Sequence, residues 1–438
     1  MKFVLDAGQR LFGETLHRLL AGADTPAVIR ARACGDPEPC RALWRSLAEA
    51  GVLAPAVPEA AGGAGPLPVE LVTAFHELGR HAAPGPLAET AAAAELLVRL
   101  GGSSGDGPGG GPPTGRSPDG GPSTGGPGDE PGGGPGGDGL TAEWLPRIAE
   151  GTAAVSLVLP PAVPYALDAD LADAVWVVDG DRLCEAVPGA ARSSLDPARR
   201  LSPVAAGTVL ASGPAVRAAA EAACDLGTLA CTAQLVGLGR RLLEATVEYA
   251  LARHQFGQPI GAFQAVKHRL ADTLVGLEYA RPLVYGAALA YGSPDFPRDV
   301  SAAKAAASEA AYAAARTALQ VHGAIGYTDE YDLGLWIRRA RALHTAWGSP
   351  RPPPRPCRRR ADGISVPGAA HAVTALTECD PYHFRGNASK KVHRRNQSLR
   401  ITTFTWKRDL GRGAVDGHGR ARPPCPATGY ADRRGSAF

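Results

Sequence analysis

The stretch that decides the reading is Leu235 to Ala271, LVGLGRRLLEATVEYALARHQFGQPIGAFQAVKHRLA. Leu235, Leu238, Leu242, Ala245 and Tyr249 recur at three- and four-residue spacing, which lays one apolar stripe along a helix. Arg240, Arg241, Glu244 and Glu248 fall largely off the stripe and give that helix a wet side. Gly257 predicts its end, because a helix commonly closes on a residue that tolerates positive φ. The short turn Gln258-Pro259-Ile260-Gly261 leads to Phe263 and a second periodic run. The segment therefore reads as a helical hairpin whose corner is Arg253, His254, Gln255 and Phe256.

Working outward, Ser212-Gly213-Pro214 is a helix start. Four helices are expected from there to Gly348, at about 214–256, 263–291, 298–321 and 330–346, with Pro282 a possible kink in the second. Upstream, residues 140–210 read as a β region. Ala153 to Leu159 and Ala174 to Val178 are short apolar runs, and Asp179-Gly180-Asp181 before Leu183 to Val187 is a hairpin signal. Residues 1–100 read as helices, with apolar faces at Phe12, Leu16, Leu19 and Leu20, at Trp44, Leu47, Ala48 and Val52, and at Leu71, Ala74, Phe75 and Leu78.

Two segments break this pattern. Gly or Pro fill 27 of the 39 positions from Gly101 to Gly139, which reads as a disordered linker or inserted loop. Residues 351–438 carry 18 Lys and Arg against 6 Asp and Glu, whereas the rest carries 28 against 37. This basic tail shows no sustained period and no nucleic-acid-binding fold, so nucleic acid is not the expected partner. A native disordered extension and a frame-shifted terminus stay open for it. The domains are thus 1–100, the linker 101–139, a small β-domain 140–211, a helical bundle 212–349, and the tail 350–438.

The eight cysteines are scattered, without a Cys-x-x-Cys or a His pair at ligand spacing, so neither a metal site nor a disulfide frame is expected. The N-terminus lacks a signal pattern and no long apolar run is present. The expectation is a cytoplasmic chain without a membrane span.

The corner Arg253-His254-Gln255-Phe256-Gly257, followed by Phe263-Gln264-Ala265 and Leu270-Ala271-Asp272, resembles the C-terminal helical domain of the acyl-CoA dehydrogenases. Gln320-Val321-His322-Gly323-Ala324-Ile325-Gly326-Tyr327, with Glu330-Tyr331, resembles that family's Gly-rich turn, one glycine being replaced by Ala324. Leu47 to Val52 and Pro58 to Gly63 are similar to its N-terminal helical domain. The resemblance implies a mostly α, acyl-CoA dehydrogenase-like fold with an N-terminal helical domain, a reduced β-domain and a C-terminal four-helix bundle. It also implies FAD as cofactor. Arg253 would supply the cation for the pyrophosphate, and Gln255 and Phe256 would lie beside the adenosine half. Gln264, Gln320, Gly323 and Gly326 would complete the cofactor site.

Family members draw part of that site from a neighbouring subunit, so a homo-oligomer or a hetero-oligomer with a homologous chain is implied. The implied substrate is an acyl-CoA thioester, with an electron-transfer protein as acceptor if the chain is active.

The family's chemistry needs a glutamate that removes the proton alpha to the thioester, and here the resemblance departs from its pattern. At the usual place, in Thr345-Ala346-Trp347-Gly348-Ser349, Trp347 stands where the glutamate belongs, and indole cannot accept a proton. The alternative site, on the long helix, falls near Gly227, where Asp225 is the one candidate substitute and Glu221 the nearest glutamate. The Thr-Glu-Pro loop that lies against the flavin is matched by Leu157-Val158-Leu159-Pro160-Pro161. Two functions follow: alpha,beta-dehydrogenation of an acyl-CoA by an FAD enzyme with an unusual base, or a flavin-binding, catalytically incompetent subunit of a heteromeric enzyme.

Overall fold

A computed structural model describes residues 5–102 and 137–348. The greater part of the Gly/Pro-rich linker and the basic tail lie outside the described residues. Helix α1 (Ala7–Gly22) opens with a capping box in which Asp6 Oδ1 accepts from the Gln9 N–H and the Gln9 carbonyl oxygen Oε1 accepts from the Asp6 N–H. Helices α2 (Thr25–Ala33), α3 (Glu38–Glu49), α4 (Pro68–Arg80) and α5 (Leu87–Gly102) follow. In α3 the spacing of Cys40, Leu43 and Leu47 gives one buried stripe. Trp44 turns to the side and donates its indole N–H to the Gly151 carbonyl at 2.7 Å.

The β region begins later than the sequence suggests. Helix α6 (Gly137–Ala149) occupies its head, despite Pro146 inside it. Leu145 and Ile148 are buried, and Trp144 meets Trp176 edge-to-face at 5.1 Å. Tertiary packing has thus outweighed a proline and a glycine-rich start. Beyond it, β1 (Val155–Val158), β2 (Ala166–Leu167), β3 (Ala174–Asp179), β4 (Arg182–Pro188), β5 (Arg192–Ser193), β6 (Arg200–Ser202) and β7 (Val204–Ser212) form two sheets, ordered β1-β3-β4-β7 and β2-β6-β5. The β3–β4 hairpin turns on Gly180-Asp181, with Asp179 opposite Arg182. Gly180 has the positive φ that such a turn requires.

Helix α7 (Pro214–Ala252) is the axis of the molecule and packs against α4, α5 and three later helices, α8 (Gln264–Leu289), α9 (Phe296–His322) and α10 (Leu333–Thr345). It is long and apolar enough to cross a membrane, yet 78% of its most apolar window is buried inside the protein. It stops at Ala252, four residues before the expected end. Arg253 is extended there, and the short strands β8 (His254–Gln255) and β9 (Gln258–Pro259) pair across a two-residue turn. Both turn residues, Phe256 and Gly257, have positive φ, the geometry of a tight hairpin, and extended flanks are incompatible with continuing the helix.

Two glycines let α4 and α7 cross with their backbones nearly touching. A Cβ on Gly79 would stand 2.0 Å from the Gln234 carbonyl oxygen, and one on Gly237 would stand 1.9 Å from that of His76. Any side chain at either place must push the helices apart. Gly237→Ala is therefore expected to lower the unfolding free energy by about 1–3 kcal/mol in chemical denaturation. A loss below about 0.5 kcal/mol would mean that the crossing can open at little cost.

Candidate functional site

A cleft of about 440 Å3 lies between the β region and the end of α10. Val163 to Tyr165, Ser194, Leu195 and Arg199 form one wall, and Arg341, Ala342 and Thr345 to Trp347 form the other. Its size is that of a small-molecule pocket. Lys304 fixes the last turn of α10: its buried Nζ donates to the Leu343 carbonyl at 2.8 Å and lies 3.3 Å from the Cys231 sulfur. Burial pulls the pKa of that ammonium down.

Trp347 follows in a left-handed conformation, φ +57°, that a bulky residue adopts only when its surroundings enforce it. Its surroundings do so. The residue is 3% exposed, and Thr228 Oγ1 donates to its carbonyl at 3.3 Å. The indole lies flat enough on α7 that a Cβ on Gly227 would sit 2.1 Å from Cζ3 and 2.2 Å from Cη2. The two positions that the resemblance implies for a carboxylate base therefore meet in space, and one aromatic ring fills the room of both. Asp225 is half-buried on α7 beside Cys224, whose thiol is pushed up to about 11 by burial with a contribution from Asp225. It is not among the residues lining the cleft.

The carboxylate that does line the cleft is Glu89, which the sequence reading did not single out. Thr90 holds this part of α5 to β1 by exchanging hydrogen bonds with the Val155 N–H and carbonyl, both at 3.0 Å. Glu89 is 2% exposed, and its Oε2 has no hydrogen-bond partner among the described residues. Burial raises its pKa above the ordinary carboxylate range, against the opposing pull of Arg199 and of the hydrogen-bonding Trp347 side chain. The signal that could have found it is a glutamate inside the apolar run Leu87 to Leu97, where a charge has no solvated face to occupy.

The expected cofactor residues gather at the other end of α7. Tyr249, in its last turn, stacks on His322 at 4.2 Å, and His322 packs near Tyr331 at 5.4 Å. These rings bring the 253–257 corner and the Gly323 turn together. Arg253 is exposed and forms no ion pair among the described residues, unlike Arg240 and Arg241, which engage Glu244, Glu278 and Glu248. Phe256 is 91% exposed, touching Phe263 edge-on at 6.2 Å, and Gln255, Gln264 and Gln320 are exposed too.

Gly323 has φ +64° and open space where a side chain would project, so its backbone explains the glycine. Gly326 differs. It is buried, and a Cβ there would meet Leu319 at 3.2 Å, so packing within the protein accounts for it. A free cation, an exposed ring and an open glycine turn on one surface fit the pyrophosphate and adenosine of a dinucleotide.

The chain's likeness to known proteins covers these same elements. Residues 6–104 match the family model described as the acyl-CoA dehydrogenase N-terminal domain, and residues 217–350 match that of the C-terminal domain. A Mycobacterium tuberculosis protein named acyl-CoA dehydrogenase IpdE2 is 32% identical over 348 residues, covering 78% of this chain and 94% of that protein. Its namesake from Mycolicibacterium smegmatis is 30% identical, over 78% and 95%. Butyryl-CoA dehydrogenase from Megasphaera elsdenii superposes with a TM-score of 0.64 at 20% identity, over 80% of this chain and 97% of that one. A chain of the ChsE4-ChsE5 complex from Mycobacterium tuberculosis superposes with a TM-score of 0.63 at 21% identity, over 84% and 100%. Helices, reduced sheets and glycine turn thus all point one way, and the chain belongs to the acyl-CoA dehydrogenase family.

Proposed function

We propose that this chain is an FAD-binding subunit of an acyl-CoA dehydrogenase that supplies no proton-accepting carboxylate of its own and works beside a homologous chain that does. The observation that carries the reading is the Trp347 indole against bare Gly227, which leaves no acceptor at either family position. Bound flavin would take up the hydride. This chain's own part is to hold the dinucleotide through Arg253, Gln255, Phe256, Gln264, Gln320 and the Gly323 turn. A partner has a surface to meet. On α8, Val275, Tyr279 and Leu283 are 51%, 76% and 45% exposed at four-residue spacing. That the similar ChsE4-ChsE5 structure is a complex of two named chains agrees with this reading. The test is purification alone and with candidate homologous chains, followed by flavin content, subunit ratio and turnover of acyl-CoA thioesters.

A second reading is dehydrogenation by this chain itself, and Glu89 favours it. A buried carboxyl with a raised pKa and an unpartnered oxygen at a cleft is how a general base is commonly tuned. Its hydrogen bond with the Trp347 side chain, the residue that the resemblance sets in the base's place, supports this reading.

Arg253→Ala is expected to weaken FAD binding by roughly tenfold to a hundredfold, the worth of one charge-assisted contact of about 1.5–3 kcal/mol. Equilibrium dialysis of the apo-protein against FAD reads this directly. Unchanged affinity would remove Arg253 from the site.

A further inference from the structure

His17 of α1, Glu77 of α4 and His81 just past α4 converge on one point. His17 Nδ1 lies 3.2 Å from Glu77 Oε2 and 2.9 Å from His81 Nε2, and all three atoms fall within 4.8 Å of one another. Sixty and 64 residues separate His17 from these partners, so ligand spacing along the chain gives no hint of the cluster.

The protons do not balance well. Glu77 is acceptor-only when ionised, and each neutral imidazole offers one N–H and one lone pair. If His17 Nδ1 carries hydrogen, that single atom must serve both the carboxylate and His81. If His81 Nε2 carries it instead, the His17 lone pair faces the carboxylate oxygen. Either way three electron-rich atoms share one hydrogen.

A divalent cation resolves this. Ligand atoms about 2.0–2.2 Å from a tetrahedral ion lie roughly 3.3–3.6 Å from each other, so the His17–Glu77 and His17–His81 contacts of 3.2 and 2.9 Å need only a small expansion. We infer that His17, Glu77 and His81 form a zinc-type binding site that clips α1 to the C-terminal end of α4, with a fourth position open to solvent. Two histidines and one glutamate are a donor set typical of Zn2+. His76 Nδ1, 3.1 Å from Glu77 Oε1, orients the carboxylate from behind.

Arg80 and Arg241 also face His81 and oppose a dication. Arg80 is paired with Glu244 at 2.9 Å and Arg241 with Glu248 at 3.4 Å, which lowers that opposition.

The full chain, stripped with EDTA, would be titrated with Zn2+ by calorimetry and with Co2+ by visible absorption. His17→Ala and Glu77→Gln would be taken in parallel; His17 is the more exposed ligand, and Glu77→Gln keeps the volume. The site predicts a tetrahedral Co2+ spectrum in the unmodified chain that both variants lose. It also predicts one Zn2+ equivalent whose affinity falls in each by at least about tenfold, the low end of what losing even a ligand's orienting partner costs. Zn2+ should raise the thermal midpoint of the unmodified chain and leave those of the variants where they were. Equal Zn2+ stoichiometry and affinity in all three proteins would place the metal on other histidines and overturn the inference. Absence of any tetrahedral Co2+ band would overturn it equally.

Discussion

Purified, loaded with FAD and given a panel of acyl-CoA thioesters, the isolated chain is expected to run about 10²–10⁴-fold slower than a family enzyme with its glutamate in place. An alpha proton beside a thioester is weakly acidic, and its removal needs a carboxylate within hydrogen-bond reach in a site shielded from water. Trp347 offers no lone pair, and Gly227 offers no side chain. Asp225 stays outside the cleft lining, and Glu89, which lines it, stands at neither of the two family positions. Three measurements decide the matter: turnover by the unmodified chain, by Glu89→Gln and by Asp225→Ala. Robust turnover abolished in one variant would overturn the subunit reading and name that residue as the base. Inactivity on every thioester, relieved only by a homologous partner, would support it.

The largest effect on stability is expected at Arg339. The residue is 5% exposed; Nε donates to Asp196 Oδ2 at 2.6 Å and Nη1 donates to the carbonyls of Ala82 and Ala83. One side chain of α10 thereby ties the α4–α5 corner to the β region. Asp196 is 1% exposed, and its other oxygen is already engaged with the Ala198 N–H. Arg339→Ala would strand that carboxylate and two carbonyls away from water, at a cost of about 3–5 kcal/mol. Against a usual total of about 5–15 kcal/mol, this is a large share. Denaturant unfolding of Arg339→Ala and of Arg339→Met with Asp196→Leu separates the causes. The apolar pair should recover much of the loss, because the penalty lies in the unpaired charge. A loss below about 1 kcal/mol in Arg339→Ala would show that water reaches Asp196 in the native state.

Much of the architecture is legible in local sequence because it follows from local rules. The 3.6-residue stripe of Leu235 to Tyr249 and the Asp179-Gly180-Asp181 turn each specify their element within a few residues. The family resemblance adds what no stripe contains: the assignment of Arg253 and Gln320 to a cofactor. What stayed illegible depends on contacts distant in sequence. Pro146 and a run of glycines argue against α6, which Trp176 and the neighbouring helices nevertheless hold in place. The end of α7 at Ala252 depends on the pairing of His254 with Pro259. Glu89 stands out in its apolar run, but that it lines a cleft shows only once α5 is packed against the β region. The close crossing of Gly79 and Gly237 lies in two helices 158 positions apart, where neither glycine alone signals a partner.

The contact between Trp347 and Gly227 also sets the order in which this chain could change. A glutamate introduced first at 227 would collide with the indole from its Cβ onward, so that step is closed while Trp347 remains. Shrinking Trp347 first opens a void over the bare glycine, at about 3–5 kcal/mol for loss of a buried tryptophan side chain. Either path to a carboxylate on α7 therefore passes through a misfit, and only the double replacement avoids it. The packing of this pair thus constrains this chain, whatever advantage a base at that position would bring.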